Sequence, residues 1–128
     1  MDKIEMRLNE LYDCIVKNMR YDYINAKLVL SLLDLETNMS HTVICNDVDS
    51  YLITTRGSEG KIWKNIYPIL FSIFLTSVAL KGNSKEDKWM SQYPLRYNLC
   101  FEILDRLVLL NTRSIQIDSD LFTEPFTD

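Results

Sequence analysis

Residues 97–117 read YNLCFEILDRLVLLNTRSIQI, and how this stretch is read decides the fold. It holds no glycine or proline, only scattered charges and no recognisable reacting group. The pattern predicts buried strands dividing near Asp105-Arg106, the heart of a small sheet domain. Leu99 and Phe101 flank Cys100, which predicts alternating burial and a packed, inert thiol.

Working outward, KLVLSLLDL at 27–35 places Leu28, Leu30 and Leu32 on one strand face and Val29 and Leu33 on the other, so both sides expect cover. Asn25 offers a turn before it, after the unevenly alternating VKNMRYDY at 16–23. HTVICNDVDSYLITT at 41–55 reads as one extended run with a bulge around Asn46-Asp47 and Asp49. FSIFLTSVALK at 71–81 is rich in β-branched and aromatic residues and reads as a further strand. Thr37–Ser40 forms a polar connection, and Gly57-Ser58-Glu59-Gly60 is the clearest break. IWKNIY at 62–67 suggests a helical turn, and GNSKEDKWMSQYPLR at 82–96 a long polar loop.

At the other end, Ile4, Leu8, Leu11 and Ile15 recur at helical spacing, predicting an amphipathic helix of about three turns. Few helices among consecutive strands favour antiparallel pairing. The expectation is an α+β fold: a mostly antiparallel sheet of about six strands, a meander backed by one N-terminal helix, in a single domain over 1–128.

Composition narrows the function. Hydrophobic residues make up 47% and charged residues 25%, which excludes a disordered chain. The most apolar window, 66–80, contains Pro68 and is shorter than the roughly 20 residues of a spanning helix, so no membrane anchor is expected. The net charge of −4 argues against nucleic acid, although Lys81, Lys85 and Lys88 lie near Trp89 and Tyr93.

The negative charge is unevenly spread. Segment 118–128 carries Asp118, Asp120, Glu124 and Asp128 with no cation, while 34–49 carries Asp34, Glu36, Asp47 and Asp49 with none. Such clusters suit a basic partner, and Leu121, Phe122 and Phe126 supply an apolar anchor within an acidic rim. Folding of these aromatics back onto the domain is the competing expectation. Cys14, Cys45 and Cys100 are widely spaced and follow no secretory signal, which fits a reduced, cytoplasmic setting.

Enzyme chemistry finds thin material. His41 and Cys45 point the same way on a strand, but zinc sites want three or four ligands. Asp47-Val48-Asp49 has the form of a paired-carboxylate cation site, a pattern that turn chemistry also produces. No nucleophile elbow or phosphate loop occurs. No cofactor and no catalytic residue is expected, and the pattern specifies no oligomeric state.

Three stretches carry a family resemblance: DYINAKLVLSLLDL at 22–35, HTVICNDVDSYLIT at 41–54 and NLCFEILDRLVLLNTRSIQI at 98–117. Their succession, with the step Val48-Asp49-Ser50-Tyr51 and the strand Phe101-Glu102-Ile103, resembles the small immunity proteins of Gram-positive bacterial toxin systems, particularly the YxiG-like group. Leu104 departs from it, standing where a typical member has an aromatic, and 82–96 has no counterpart. The resemblance implies a non-enzymatic protein that binds and neutralises a cognate toxin, and it transfers no active-site residues. The residues expected to meet such a partner, a basic toxin domain, are Asp47, Asp49, Asp118, Asp120, Phe122 and Glu124. The alternatives are a metal- or small-ligand-binding enzyme using Asp47, Asp49 and His41, and a phage or host adaptor working through an exposed strand edge.

Overall fold

A computed structural model describes residues 3–55, 70–75, 97–103, 106–124 and 126. Among them are one helix, α1 (Lys3–Asn9), and nine strands: β1 (Ile15–Asp22), β2 (Lys27–Asp34), β3 (Met39–Asn46), β4 (Ser50–Thr55), β5 (Leu70–Leu75), β6 (Leu99–Ile103), β7 (Arg106–Asn111), β8 (Ser114–Ile117) and β9 (Asp120–Phe122). Every strand pairing is antiparallel. The fold is α+β, as expected. The expected helical turn at 62–67, the break at 57–60 and the loop at 82–96 lie outside the described residues, as does the last part of the 71–81 strand.

The strands form two sheets rather than one meander, ordered β1-β2-β3-β8-β9 and β4-β7-β6-β5. Nine strands replace six for a local reason. The run 41–55 does not bulge; it breaks at Asp47–Asp49, leaving β3 in the first sheet and β4 in the second. The run after Asp105 breaks again at Thr112-Arg113, leaving β7 in the second sheet and β8 in the first. The acidic tail adds β9 against β8.

The two crossings lie side by side. Asp49 donates its N–H to the Asn111 carbonyl at 2.9 Å, and Arg113 donates to the Asn46 carbonyl at 3.1 Å. Thr112, fully buried, donates its hydroxyl within reach of the carbonyls of both Asn46 (2.6 Å) and Ser114 (2.9 Å). Asn98 completes the joint: its amide oxygen accepts the Thr112 N–H at 3.1 Å, and its Nδ2 donates to the Thr112 carbonyl at 2.8 Å. Peptide groups that leave both ladders here are thus satisfied by side chains, as burial requires.

Both sheets and the helix feed one core. Leu28, Leu30, Leu32, Val43, Cys45, Ile115 and Ile117 come from the first sheet, and Leu99, Phe101, Ile103, Val108 and Leu110 from the second. Ile4 and Leu8 of α1 and Leu11 beyond it join them. On β2 one face is buried and the other, carrying Val29 and Leu33, only half so. On β6 and β7 both faces are buried, since Cys100, Leu107 and Leu109 are enclosed as well. Such double burial accounts for the near-continuous apolar run in the sequence.

The helix is shorter than its spacing predicts. It ends at Asn9, and Asp13 adopts a left-handed φ of 68° before Ile15 opens β1. Leu11 keeps its place in the core through tight turns, with its N–H on the Leu8 carbonyl and the Cys14 N–H on its own. A ring cluster ties the sheet edges together. Tyr21 packs on Tyr23 and Tyr51 with centroids 4.8 and 4.7 Å apart, and the Tyr23 and Tyr51 hydroxyls share a hydrogen bond at 3.2 Å.

Replacing Thr112 by valine keeps the shape and removes the hydroxyl from the Asn46 and Ser114 carbonyls, leaving Asn46 with the Arg113 N–H alone. The expected cost is about 0.5–1.5 kcal/mol, read as a lower urea midpoint with the slope unchanged. An unaltered midpoint contradicts the role given to this hydroxyl.

Candidate functional site

The turn between β8 and β9 is two residues long, and Asp118 takes it at φ 56°. Aspartate tolerates this left-handed region better than most residues, and here its carboxylate is also used. One oxygen accepts the Thr42 N–H at 3.0 Å; the other meets Arg7 Nη2 at 2.9 Å and His41 Nδ1 at 2.8 Å. The Asp118 N–H donates back to the Thr42 carbonyl at 2.8 Å, and Gln116 Nε2 donates to the Asp118 carbonyl at 3.0 Å.

Arg7 is the hub on the helix side. Its Nη1 pairs with Glu10 one turn on, and its Nη2 also reaches the Ile117 carbonyl at 3.4 Å. Arg7 Nε sits 3.1 Å from Asp120 Oδ2 without the alignment of a hydrogen bond, so that contact is ionic only. Partial burial works against the guanidinium charge, but the Glu10 and Asp118 carboxylates outweigh it and hold Arg7 above its ordinary range. Burial likewise works against the Asp118 carboxylate. His41, the Thr42 N–H and Arg7 overcome it and keep Asp118 below the usual carboxylate range.

Beside this ion cluster, α1 and β9 bound a hollow of about 620 Å³ lined by Lys3, Met6, Arg7, Glu10, Ser119, Asp120, Leu121 and Phe122. Met6 is 53% and Leu121 59% exposed, while Phe122 packs partly against the core. Glu124 follows, exposed. Phe126 instead folds back to 8% exposure and joins the core. Of the three expected tail anchors, Leu121 and Phe122 therefore line the α1–β9 face, and Phe126 packs inside.

Asp47 and Asp49 lie elsewhere. Both are exposed and line a second hollow of about 620 Å³ with Ala26, Val48, Asn111, Arg113 and Phe126. Val48 between them is buried, its N–H held by the Ala26 carbonyl at 2.9 Å. Thr42 is opposite Asp118, the end of β3 at Asn46 is four residues further along extended chain, roughly 13 Å at about 3.3 Å per residue, and Asp47 follows it. The six expected partner residues thus separate into two groups. His41 belongs with Asp118, so the grouping of His41 with Asp47 and Asp49 does not occur; strand β3 holds them near opposite ends.

Among the described residues, no group of three His, Cys, Asp or Glu side chains is placed to hold a metal ion. All three cysteines are buried and none forms a disulfide, and burial drives the Cys45 thiol strongly upward, away from the reactive thiolate. No helix among those residues is long and apolar enough to cross a membrane. Sequence reasoning missed Arg7 and Glu10. Their spacing of three along a helix is visible in the chain, but the Arg7–Asp118 partnership spans 111 residues and leaves no local mark.

These features define a small antiparallel α+β protein with an acid-rimmed apolar face beside its N-terminal helix. A profile of YxiG-like proteins matches residues 4–122, and the chain belongs to that family. No curated protein and no solved structure matches it.

Because Asp118 has a lowered pKa in the folded state, its stabilising effect is present above the ordinary carboxylate pKa and lost as pH falls through the folded value. Asp118→Asn keeps the turn and removes the charge. At pH 7 it is expected to cost on the order of 1 kcal/mol after screening, and the gap to the parent closes below roughly pH 4. Denaturant melts across pH check this; a gap constant down to pH 2 contradicts it.

Proposed function

We propose that this chain is a non-enzymatic, cytoplasmic immunity-type protein that binds a cognate toxin through an acidic surface and so neutralises it. The observation that carries the reading is the α1–β9 face. Segments 3–10 and 118–124 hold Lys3 and Arg7 against Glu5, Glu10, Asp118, Asp120 and Glu124, a balance of −3, around the exposed Met6 and Leu121. Apolar anchors inside a charged rim are the usual composition of a protein-binding surface. The negative field hastens encounter with a basic toxin domain and selects it over other partners. Three buried cysteines outside any disulfide suit a reducing compartment.

Co-expression with a candidate toxin from a neighbouring gene is expected to restore growth of a sensitive host, with both proteins co-eluting on a sizing column. Asp120→Lys with Glu124→Lys should slow association roughly tenfold at low salt and less at high salt. Absence of both rescue and co-elution removes this reading.

A second reading is favoured by one observation: Asp47, Asp49 and Arg113 line a hollow large enough for a small polar ligand. It predicts a raised melting temperature with a divalent cation or nucleotide, by mass action. The binding reading predicts a flat thermal-shift profile across such a panel.

A further inference from the structure

We infer that the partner of the α1–β9 face is an extended, Lys- or Arg-bearing protein segment that adds as a strand to the outer edge of β9 and seats an apolar side chain in the adjoining hollow. The inference rests on the binding reading above and adds where and how the contact is made.

Strand β9 ends the first sheet, paired to β8 alone among the described strands. The Asp118 N–H bonded to the Thr42 carbonyl fixes the phase of the β3–β8 ladder. Antiparallel alternation then turns the peptide groups of Ile115 and Ile117 toward β9, where they face Phe122 and Asp120. Leu121 lies between those two, so its N–H and carbonyl point away from β8 and are open to an incoming strand. One residue offers two such bonds, too few for tight binding. Side chains must supply the rest, and Met6, Leu121 and Phe122 give the hollow an apolar wall among its polar and charged lining residues.

Charge selects this edge over the other outer strands described, β1, β4 and β5. Strand β1 carries Lys17 and Arg20 against Asp22, which disfavours a basic segment, and β4 and β5 carry no charge. The α1–β9 segments total −3. Asp118 is a positioning residue here, since its two oxygens are already committed to Thr42, Arg7 and His41. Asp47 and Asp49 stand at the far end of β3 and take no part.

The test uses the full chain and a phage-displayed library of random peptides. Enriched peptides are expected to alternate Lys or Arg with apolar residues, and salt should weaken them. Leu121→Pro deletes the outward N–H while leaving the β8–β9 bonds in place, and should cost at least about tenfold in peptide affinity. Asp120→Lys should act likewise, whereas Asp47→Lys with Asp49→Lys should change affinity less than about twofold. If proline unsettles the fold, amide exchange at Leu121 in the parent protein serves instead, and should slow when an enriched peptide is added.

No enrichment, enrichment of peptides without cations, or an unchanged Leu121 exchange rate overturns the inference. Growth rescue by a Leu121→Pro protein that melts normally also overturns it, while leaving the toxin reading in place. Peptide binding as described without any rescue has the reverse result: the edge stands and the toxin reading falls.

Discussion

Two strand crossings share one buried hydroxyl, and the arrangement of both sheets depends on it. Where the chain leaves β3 for β4 and where it leaves β7 for β8, peptide groups lose their ladder partners around the buried Thr112. Thr112 sits between the two departures and bonds the Asn46 and Ser114 carbonyls, while Asn98 closes its backbone on both sides. Unsatisfied buried carbonyls are costly enough that a second register for either crossing is disfavoured. The joint therefore sets which residues of β3 face β8, and through β8 which peptide groups of β9 face outward.

Much of this was legible from local pattern. The Leu28, Leu30, Leu32 alternation and the dense apolar run around Phe101 and Leu109 marked strands but not their cover: β2 has one buried face where two were expected, and Leu99, Cys100 and Phe101 are buried without the expected alternation. What pattern could not show was the change of sheet. Asn46–Asp49 and Thr112-Arg113 look like ordinary polar interruptions, because a bulge and a crossing use the same turn-favouring residues. The distinction lies in partners far away in sequence, Asn111 for Asp49 and Asn46 for Arg113. The length of α1 failed for a related reason: Leu11 is buried as helical spacing predicts, but tight turns rather than a third helical turn put it there.

The candidate site shows the same divide. Acidic clustering was plain in the composition, yet clustering along the chain is not clustering in space. Folding brings Asp118 and Asp120 to Arg7 on α1 and leaves Asp47 and Asp49 near the opposite end of β3. The separation also assigns different duties to neighbours. Asp118 is spent on holding helix, turn and strand together; Asp120, about half exposed, still presents charge to the outside.

The three buried thiols carry a practical consequence. Cys14 lies between α1 and β1, Cys45 in the first sheet and Cys100 in the second, each essentially sealed from solvent. A thiol-specific reagent can reach any of them only when its own part of the molecule opens. Comparing their modification rates therefore times the breathing of the helix-proximal turn and each sheet separately, and shows whether the two sheets come apart in one event or two.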